Sequence, residues 1–290
     1  MGVIHFYPNS KLQTMFLPRK ATHLIRKANV AAHFTPPPTV GFSAANVSRA
    51  MVTMNKDGLG VDTHELEPIF QQKQSLRSKV RKALKNMDPI QKSQEDNAIQ
   101  NTVVESSWFK ASKNVCAYIS SPALLEVDTS RIISEVLSSP AKERKKLYVP
   151  RVVDRNSNMK MLMISSVDDL IEKSMNILEP ALVDSDGIQR EDVMQASDPL
   201  DLFIMPGLAF DKSGSRLGRS GGYYDLFLKN YQELTKKKRW KQPLLVALSY
   251  SVQIIEEGAI PVTPFDIPVD ALVSPAGFIP ISTAAFRRCE

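Results

Sequence analysis

The chain has two cysteines, Cys116 and Cys289, in 290 residues. That number builds neither a disulfide framework nor a zinc cluster. Histidine is absent where it would matter: His5, His23, His33 and His64 are the full set, so residues 65–290 contain none. Ser-His-Asp and Cys-His catalysis and His-ligated metals are thereby excluded from the body of the chain. No apolar run approaches the roughly 20 residues of a membrane span, so no membrane partner is expected. Whatever chemistry the body performs must use carboxylates, Lys, Arg, Tyr, hydroxyls, backbone amides or an oxygen-bound metal.

Acidic residues are missing from the first 56 positions, which carry seven of the 37 Lys and Arg; the first acid is Asp57. Residues 57–290 then hold 30 basic against 31 acidic side chains, a net of −1, so the whole formal charge of +6 belongs to the leader. An acid-free basic stretch with short amphipathic pieces such as Leu17–Val30, and without a continuous apolar core, reads as an organelle transit peptide rather than a secretory signal. The mitochondrial matrix is the expected destination, with the plastid second. A disordered basic arm is the plainer alternative. A nucleic-acid arm is disfavoured, because the seven charges are dispersed and carry little aromatic interleaving.

What is present is a body that is 43% apolar over the whole chain, enough to bury a full core. Leu76, Val80, Ala83, Leu84 and Met87 make one helical stripe from about Phe70. Asp88-Pro89 restarts a second helix, expected to run to about Trp108. Residues 114–120, 146–150, 159–165, 200–205, 243–249 and 269–274 read as short strands, and helices are expected near 128–137 and 223–237. Residues 172–199 read as a long surface excursion. Short apolar strands alternating with amphipathic helices indicate an α/β fold with a largely parallel sheet, and a single domain over 57–290.

The informative stretch is Asp201–Leu228, DLFIMPGLAFDKSGSRLGRSGGYYDLFL. A buried strand leads into a Gly-rich loop and the loop into a helix. Gly214, Gly218, Gly221 and Gly222 permit positive φ, which turns N–H groups toward one point. Lys212, Arg216 and Arg219 add positive charge, and the following helix adds its dipole. Together these suggest a phosphate cradle at the carboxyl end of a strand. It is neither a Walker A loop nor GxGxxG, and a hairpin followed by a helix cap is the blander reading. Asp225 in the first helical turn complements the dipole, or serves as a ligand for the Mg²⁺ that accompanies a nucleotide. Asp266 and Asp270, before the last strand, are ordinary turn residues or a further metal carboxylate.

PGLAFDKSGSRLGRSGGYYDLFL, with SLRSKVRKAL before it, EVDTSRI after the first strand and VDALV near the end, resembles the 5-formyltetrahydrofolate cyclo-ligases (5,10-methenyltetrahydrofolate synthetases), in an organellar, plant-like form. The resemblance spans roughly 70–275 in the right order. It implies a three-layer Rossmann-like sheet of the NagB/RpiA/CoA-transferase-like type. It also implies an ATP- and Mg²⁺-dependent conversion of 5-formyltetrahydrofolate to 5,10-methenyltetrahydrofolate with release of ADP and phosphate.

By position, the resemblance assigns Lys73, Gln74, Ser75, Leu76 and Arg77 to the ATP site. It adds the loop Arg216, Leu217, Gly218, Arg219, Ser220, Gly221, Gly222, Tyr223 and Tyr224. Arg77, Ile119, Glu126, Arg219, Ser220, Gly221, Gly222 and Tyr223 are implied folate contacts. Asp225 and Asp266 are the implied magnesium carboxylates, and Lys73 and Arg219 the implied catalytic cations. The folate is the expected small-molecule partner, nucleic acid is not expected, and the chain is expected to act as a monomer. Where the family often has R-G-K-G-Y-Y-D, this chain has Arg219-Ser220-Gly221-Gly222-Tyr223-Tyr224-Asp225; the Lys is absent, and Ser220 is expected to strain a positive-φ position by about 1 kcal/mol. That departure motivates the alternative of a folate-binding paralogue without turnover. A sugar-phosphate isomerase or CoA-transferase on the same fold is the third reading, disfavoured by the paired aspartates and the basic loop.

Overall fold

The computed structural model describes residues 63–140, 145–173 and 177–288, all of which fall in one compact unit. The proposed leader and Cys289 lie outside the described residues. The N-terminal stripe folds as α1 (Thr63–Lys85), which begins seven residues before Phe70 and runs through Pro68. Asp88 caps α2 (Pro89–Glu105) by accepting from the Gln91 N–H at 3.2 Å. The second helix stops short of Trp108, because the Ser106 hydroxyl accepts from the Phe109 N–H and starts a separate turn, α3 (Ser107–Ala111).

Strands β1 (Asn114–Ala117), β2 (Lys146–Val152), β3 (Met159–Ile164), β6 (Leu202–Met205), β9 (Leu244–Leu248), β10 (Ala271–Ser274) and β11 (Gly277–Pro280) form one sheet in the order β11-β10-β9-β6-β1-β2-β3. The inner pairs β10-β9, β9-β6, β6-β1 and β1-β2 are parallel, and the edge pairs β10-β11 and β2-β3 antiparallel. Central strands buried on both faces read as continuous apolar runs, as in LFIM and LLVAL.

Alternation along those runs separates two cores. Val115, Ala117, Leu202, Ile204, Val246 and Val273 pack toward α1, α2, α3 and α4 (Ser130–Leu137). Cys116, Phe203, Met205, Leu245 and Leu272 pack on the opposite face against Phe227, Leu228 and Tyr231 of α5 (Tyr223–Lys238). Helices on both faces of a mostly parallel sheet give the three-layer α/β architecture expected. Burial pushes the Cys116 thiol well up, so it behaves as a core hydrophobe. Among the described residues, no helix is long and apolar enough to cross a membrane.

Two departures from the sequence expectation bear on the site. Residues 170–195 are not a plain surface excursion. They contain the hairpin of β4 (Leu170–Glu172) and β5 (Leu178–Pro180), and β5 docks on the end of β2: Arg151 Nη1 donates to the Pro180 carbonyl at 2.5 Å, and the Val152 N–H donates to Glu179 at 3.1 Å. The Gly-rich segment is likewise not one loop. A hairpin of β7 (Ala209–Phe210) and β8 (Arg216–Leu217) occupies its first half, with Asp211 accepting from the Ser213 and Ser215 N–H groups in the turn.

Candidate active site

The phosphate-type loop is thus confined to Gly218–Gly222, between β8 and α5. The expectation of positive φ at all four glycines needs correction. Gly214, at φ 89°, serves the β7–β8 turn against the Val269 carbonyl, and Gly222, at φ 65°, opens α5; Gly218 and Gly221 are not left-handed. Gly221 is needed for room instead, since a Cβ there would fall 2.4 Å from the Tyr223 ring. Ser220 does occupy the expected strained position, at φ 109°. Among the described residues, no backbone acceptor is paired with the N–H groups of Ser220–Tyr224, and these lead directly into the helix N-terminus.

Lys73 and Arg77, four residues apart on α1, share the buried face that meets this loop. Arg77 Nε donates to the Gly218 carbonyl at 2.8 Å, and Arg81, which the sequence reading missed, donates to the Arg219 carbonyl at 3.4 Å. Lys73 Nζ donates to both oxygens of Asp266, at 2.6 and 2.5 Å. Burial lowers the Lys73 ammonium against the pull of Asp266, and burial, then Arg81, brings Arg77 down to about 10. Arg77 therefore remains a cation at neutral pH. Gln74 and Ser75 are exposed and Leu76 packs toward the core, so only Lys73 and Arg77 of that segment reach the site. Leu217 is buried in the core, and Lys212 is exposed in the β7–β8 turn.

Arg216 Nη2 donates to Asp225 Oδ1 at 2.8 Å, and the same oxygen accepts from the Ile267 N–H at 3.1 Å. This draws Asp225 toward the segment bearing Asp266, whose carboxylate also accepts from the Thr263 N–H and hydroxyl. Asp270, the other carboxylate weighed there, instead accepts from the Leu245 N–H and is structural. Among the described residues, no group of three or more metal-ligating side chains is assembled. Two carboxylates nevertheless suit Mg²⁺, which keeps several waters and takes phosphate oxygens for the rest. Arg216 Nε is buried with no acceptor, a donor left over for an anionic ligand.

Beside the loop is a cavity of about 220 Å³. Ile119, Glu126, Arg219, Gly221, Gly222 and Tyr223, six of the implied folate contacts, all line it. Arg77 and Ser220 do not. The walls are largely apolar, from Tyr118, Leu124, Pro150 and Met159, with Ile177, Leu178 and Glu179 of the β5 segment closing one side. Sequence reading missed this last wall because an exposed-looking hairpin gives no sign of where it docks. Glu126 lies at the cavity's polar end: its carboxylate accepts from the Ser121 N–H at 3.1 Å and from Arg219 Nε at 3.1 Å, while Arg219 Nη2 reaches the Leu124 carbonyl. Burial raises the Glu126 carboxyl, opposed by Arg219 and the Ser121 N–H. Tyr250 OH and the Asp96 carboxylate brace the backbone below: the hydroxyl lies 3.0 Å from the Glu126 carbonyl and 2.6 Å from Asp96, which accepts from the Asp128 N–H.

An apolar slot ending in a carboxylate and adjoining a cationic, amide-rich loop accommodates a flat heterocycle beside a polyphosphate. The model of the 5-formyltetrahydrofolate cyclo-ligase family matches residues 69–275, a span that contains every side chain of the site. The chain belongs to that family. It is 57% identical over 245 residues to the mitochondrial 5-formyltetrahydrofolate cyclo-ligase of Arabidopsis thaliana, covering 84% of this chain and 88% of that one. It is 30% identical to the 5-formyltetrahydrofolate cyclo-ligase of Mus musculus, covering 69% of this chain and 92% of the other. Among solved structures, it resembles the NMR structure of the Aquifex aeolicus 5,10-methenyltetrahydrofolate synthetase, with a TM-score of 0.54 and 28% identity over 72% of this chain and 92% of that one. Within the cyclo-ligase fold, the cavity and the cation cluster meet at the carboxyl ends of β1, β2 and β6, where open α/β sheets place their ligands.

Proposed function

We propose that the chain converts 5-formyltetrahydrofolate to 5,10-methenyltetrahydrofolate, consuming ATP in a Mg²⁺-dependent reaction and releasing ADP and phosphate. The observation that carries this reading is the placement of Arg219. Its side chain enters the apolar cavity at Glu126, while its own backbone belongs to the loop gripped by Arg77 and Arg81. One residue therefore adjoins both the place suited to a pterin and the place suited to a phosphate.

In this reading Ile119, Glu126, Gly221, Gly222 and Tyr223 hold the folate, the Glu126 carboxylate accepting N–H donors of the pterin ring. The loop amides with Arg77 and Arg216 hold the phosphates. Lys73 and Arg219 offset charge as the N5-formyl oxygen takes the γ-phosphoryl group. N10 then closes on the formyl carbon, its proton is released, and phosphate departs as the carbon–oxygen bond breaks. Asp225 and Asp266 would hold Mg²⁺, which would supply further charge neutralisation there. Positioning and electrostatics dominate phosphoryl transfer, so the lack of histidine in the body is no obstacle.

We read residues 57–290 as one domain acting as a monomer and 1–56 as its import leader. The mitochondrial relative in Arabidopsis supports the matrix as destination, ahead of the plastid. The test is absorbance of the methenyl product from the purified chain. Product only with ATP and Mg²⁺ is expected. Equal product without nucleotide would sink the reading, and tight folate binding without ATP consumption would mark a non-catalytic paralogue.

A further inference from the structure

The turn between β2 and β3, residues 153–158, lies far in sequence from the Gly-rich loop yet interlocks with it at two points. The Ser157 hydroxyl donates to the Gly221 carbonyl at 2.5 Å, across 64 residues, and the Tyr223 hydroxyl donates to the Asp154 carbonyl at 2.9 Å. Ser157 is buried, 3% exposed, and holds a left-handed backbone at φ 68°. A non-glycine residue rarely adopts that conformation, and here it carries the hydroxyl onto the loop. The turn is braced for the task. The Asp154 carboxylate accepts from the Asn156 N–H at 2.7 Å and from Asn158 Nδ2 at 2.7 Å.

The consequence follows from the planar trans peptide. The Gly221 carbonyl and the Gly222 N–H belong to one peptide group and point in opposite directions. Anchoring the carbonyl on Ser157 therefore turns the Gly222 N–H away from the turn, and no acceptor among the described residues takes it up. Glycine at 221 has the backbone freedom to rotate this peptide, so something outside the loop has to fix it. The flanking strands also supply cavity walls, through Pro150, Val152 and Met159. The fixing contact thus comes from the same hairpin that borders the folate cavity.

We propose that Ser157 is a positioning residue for phosphate binding, setting the Gly221–Gly222 peptide so that the Gly222 N–H faces the nucleotide. The proposal rests on the functional reading above, and three substitutions test it. Ser157→Ala removes the hydroxyl and keeps the left-handed strain. Ser157→Gly removes the hydroxyl and relieves the strain. Ser157→Asn keeps a donor on a residue that tolerates left-handed backbone. The measurements are calorimetric Kd values for a non-hydrolysable ATP analogue with Mg²⁺ and for 5-formyltetrahydrofolate, melting temperature, and amide exchange over 218–224.

Ser157→Ala and Ser157→Gly should both weaken the nucleotide by about 5- to 10-fold, the size of one neutral hydrogen bond. Folate Kd should shift less than nucleotide Kd, because Ile119, Glu126 and the apolar walls of the cavity stay in place; loop amides should exchange faster, and Ser157→Asn should recover most of the loss. Ser157→Gly melting no lower than wild type, while still binding nucleotide poorly, would separate positioning from stability. Unchanged nucleotide Kd in both Ala and Gly variants, with or without a lower melting temperature, would overturn the proposal. A wild-type chain that binds no nucleotide would overturn the functional reading instead, and it is recognised from the unsubstituted protein alone.

Discussion

The Lys73 ammonium bonds both oxygens of Asp266, joining the first helix to the loop before β10 across 193 residues. Lys73 is nearly fully buried, with 5% of its side chain exposed, so the pair cannot be treated as a surface salt bridge. Removing Asp266 leaves an uncompensated buried cation. Asp266→Ala should therefore cost roughly 3 kcal/mol in urea unfolding, in addition to abolishing turnover. Unfolding at the wild-type urea midpoint would show that the ammonium finds another carboxylate.

Both candidate magnesium carboxylates carry a cation of the protein's own, Lys73 on Asp266 and Arg216 on Asp225. A site neutralised in this way needs no metal to remain folded. Chelation with EDTA should stop product formation while leaving the melting temperature of the nucleotide-free protein unchanged. A fall of several degrees on chelation would mean that the metal is structural.

Glu126 combines burial, which raises its carboxyl, with Arg219 and the Ser121 N–H, which oppose the rise without cancelling it. A carboxyl raised above its unfolded value favours folding when protonated and loses that contribution as pH rises through the folded pKa. In the site the consequence is opposite in sense: acidification past that point neutralises Glu126 and frees Arg219. The KM for folate should therefore rise on the acid side, beginning above the usual carboxylate range. Glu126→Gln should raise KM by about 10-fold or more at neutral pH and flatten that limb. A wild-type limb that persists in the variant would assign it to another group.

Ser220 at φ 109° is the position where the loop departs from glycine-rich chemistry. Relief of left-handed strain, about 1 kcal/mol, exceeds the entropic cost of glycine by a small margin. Ser220→Gly should raise stability by roughly 0.5 kcal/mol and leave kcat within twofold. A large loss of kcat would give the hydroxyl a role that its place outside the cavity lining does not suggest.

The legibility of the chain follows the range of the forces involved. The central strands were readable because burial on both faces makes each a short continuous apolar run, and the caps at Asp88 and Ser106 differ because only the first precedes a proline. The loop's composition gave its position, and Asp225 and Asp266 could be placed by resemblance. Four features were not readable. Gln74 and Ser75 share a motif with Lys73 and Arg77, yet helical rotation exposes them. Gly221 and Gly222 look alike in sequence, although one is needed for room and the other for left-handed φ. The docking of β5 onto β2 and the contact of Ser157 with Gly221 depend on tertiary partners that no local pattern encodes.

That docked segment carries its own acid-sensitive lock. Burial alone would raise the Asp169 carboxyl, but the Ser165 N–H, the Arg190 guanidinium and the Ser166 N–H outweigh it and hold the group at about 2. Arg190 Nη2 sits 2.8 Å from Asp169, and its own N–H donates to the Leu182 carbonyl, tying the chain after β5 to the turn before β4. A depressed carboxyl contributes stability that is complete above its unfolded value near 4 and is lost as pH falls toward 2. The shift sets an upper bound of roughly 2 kcal/mol, which solvent screening reduces because the carboxylate sits near the surface. Asp169→Asn should therefore unfold at lower urea than wild type at pH 7, and the gap should narrow progressively below about pH 4. The β5 wall should loosen with it, seen as faster amide exchange at 177–180 and a higher KM for folate at neutral pH. A gap that stays constant down to pH 3 would show that the carboxylate's charge is not what holds the segment in place.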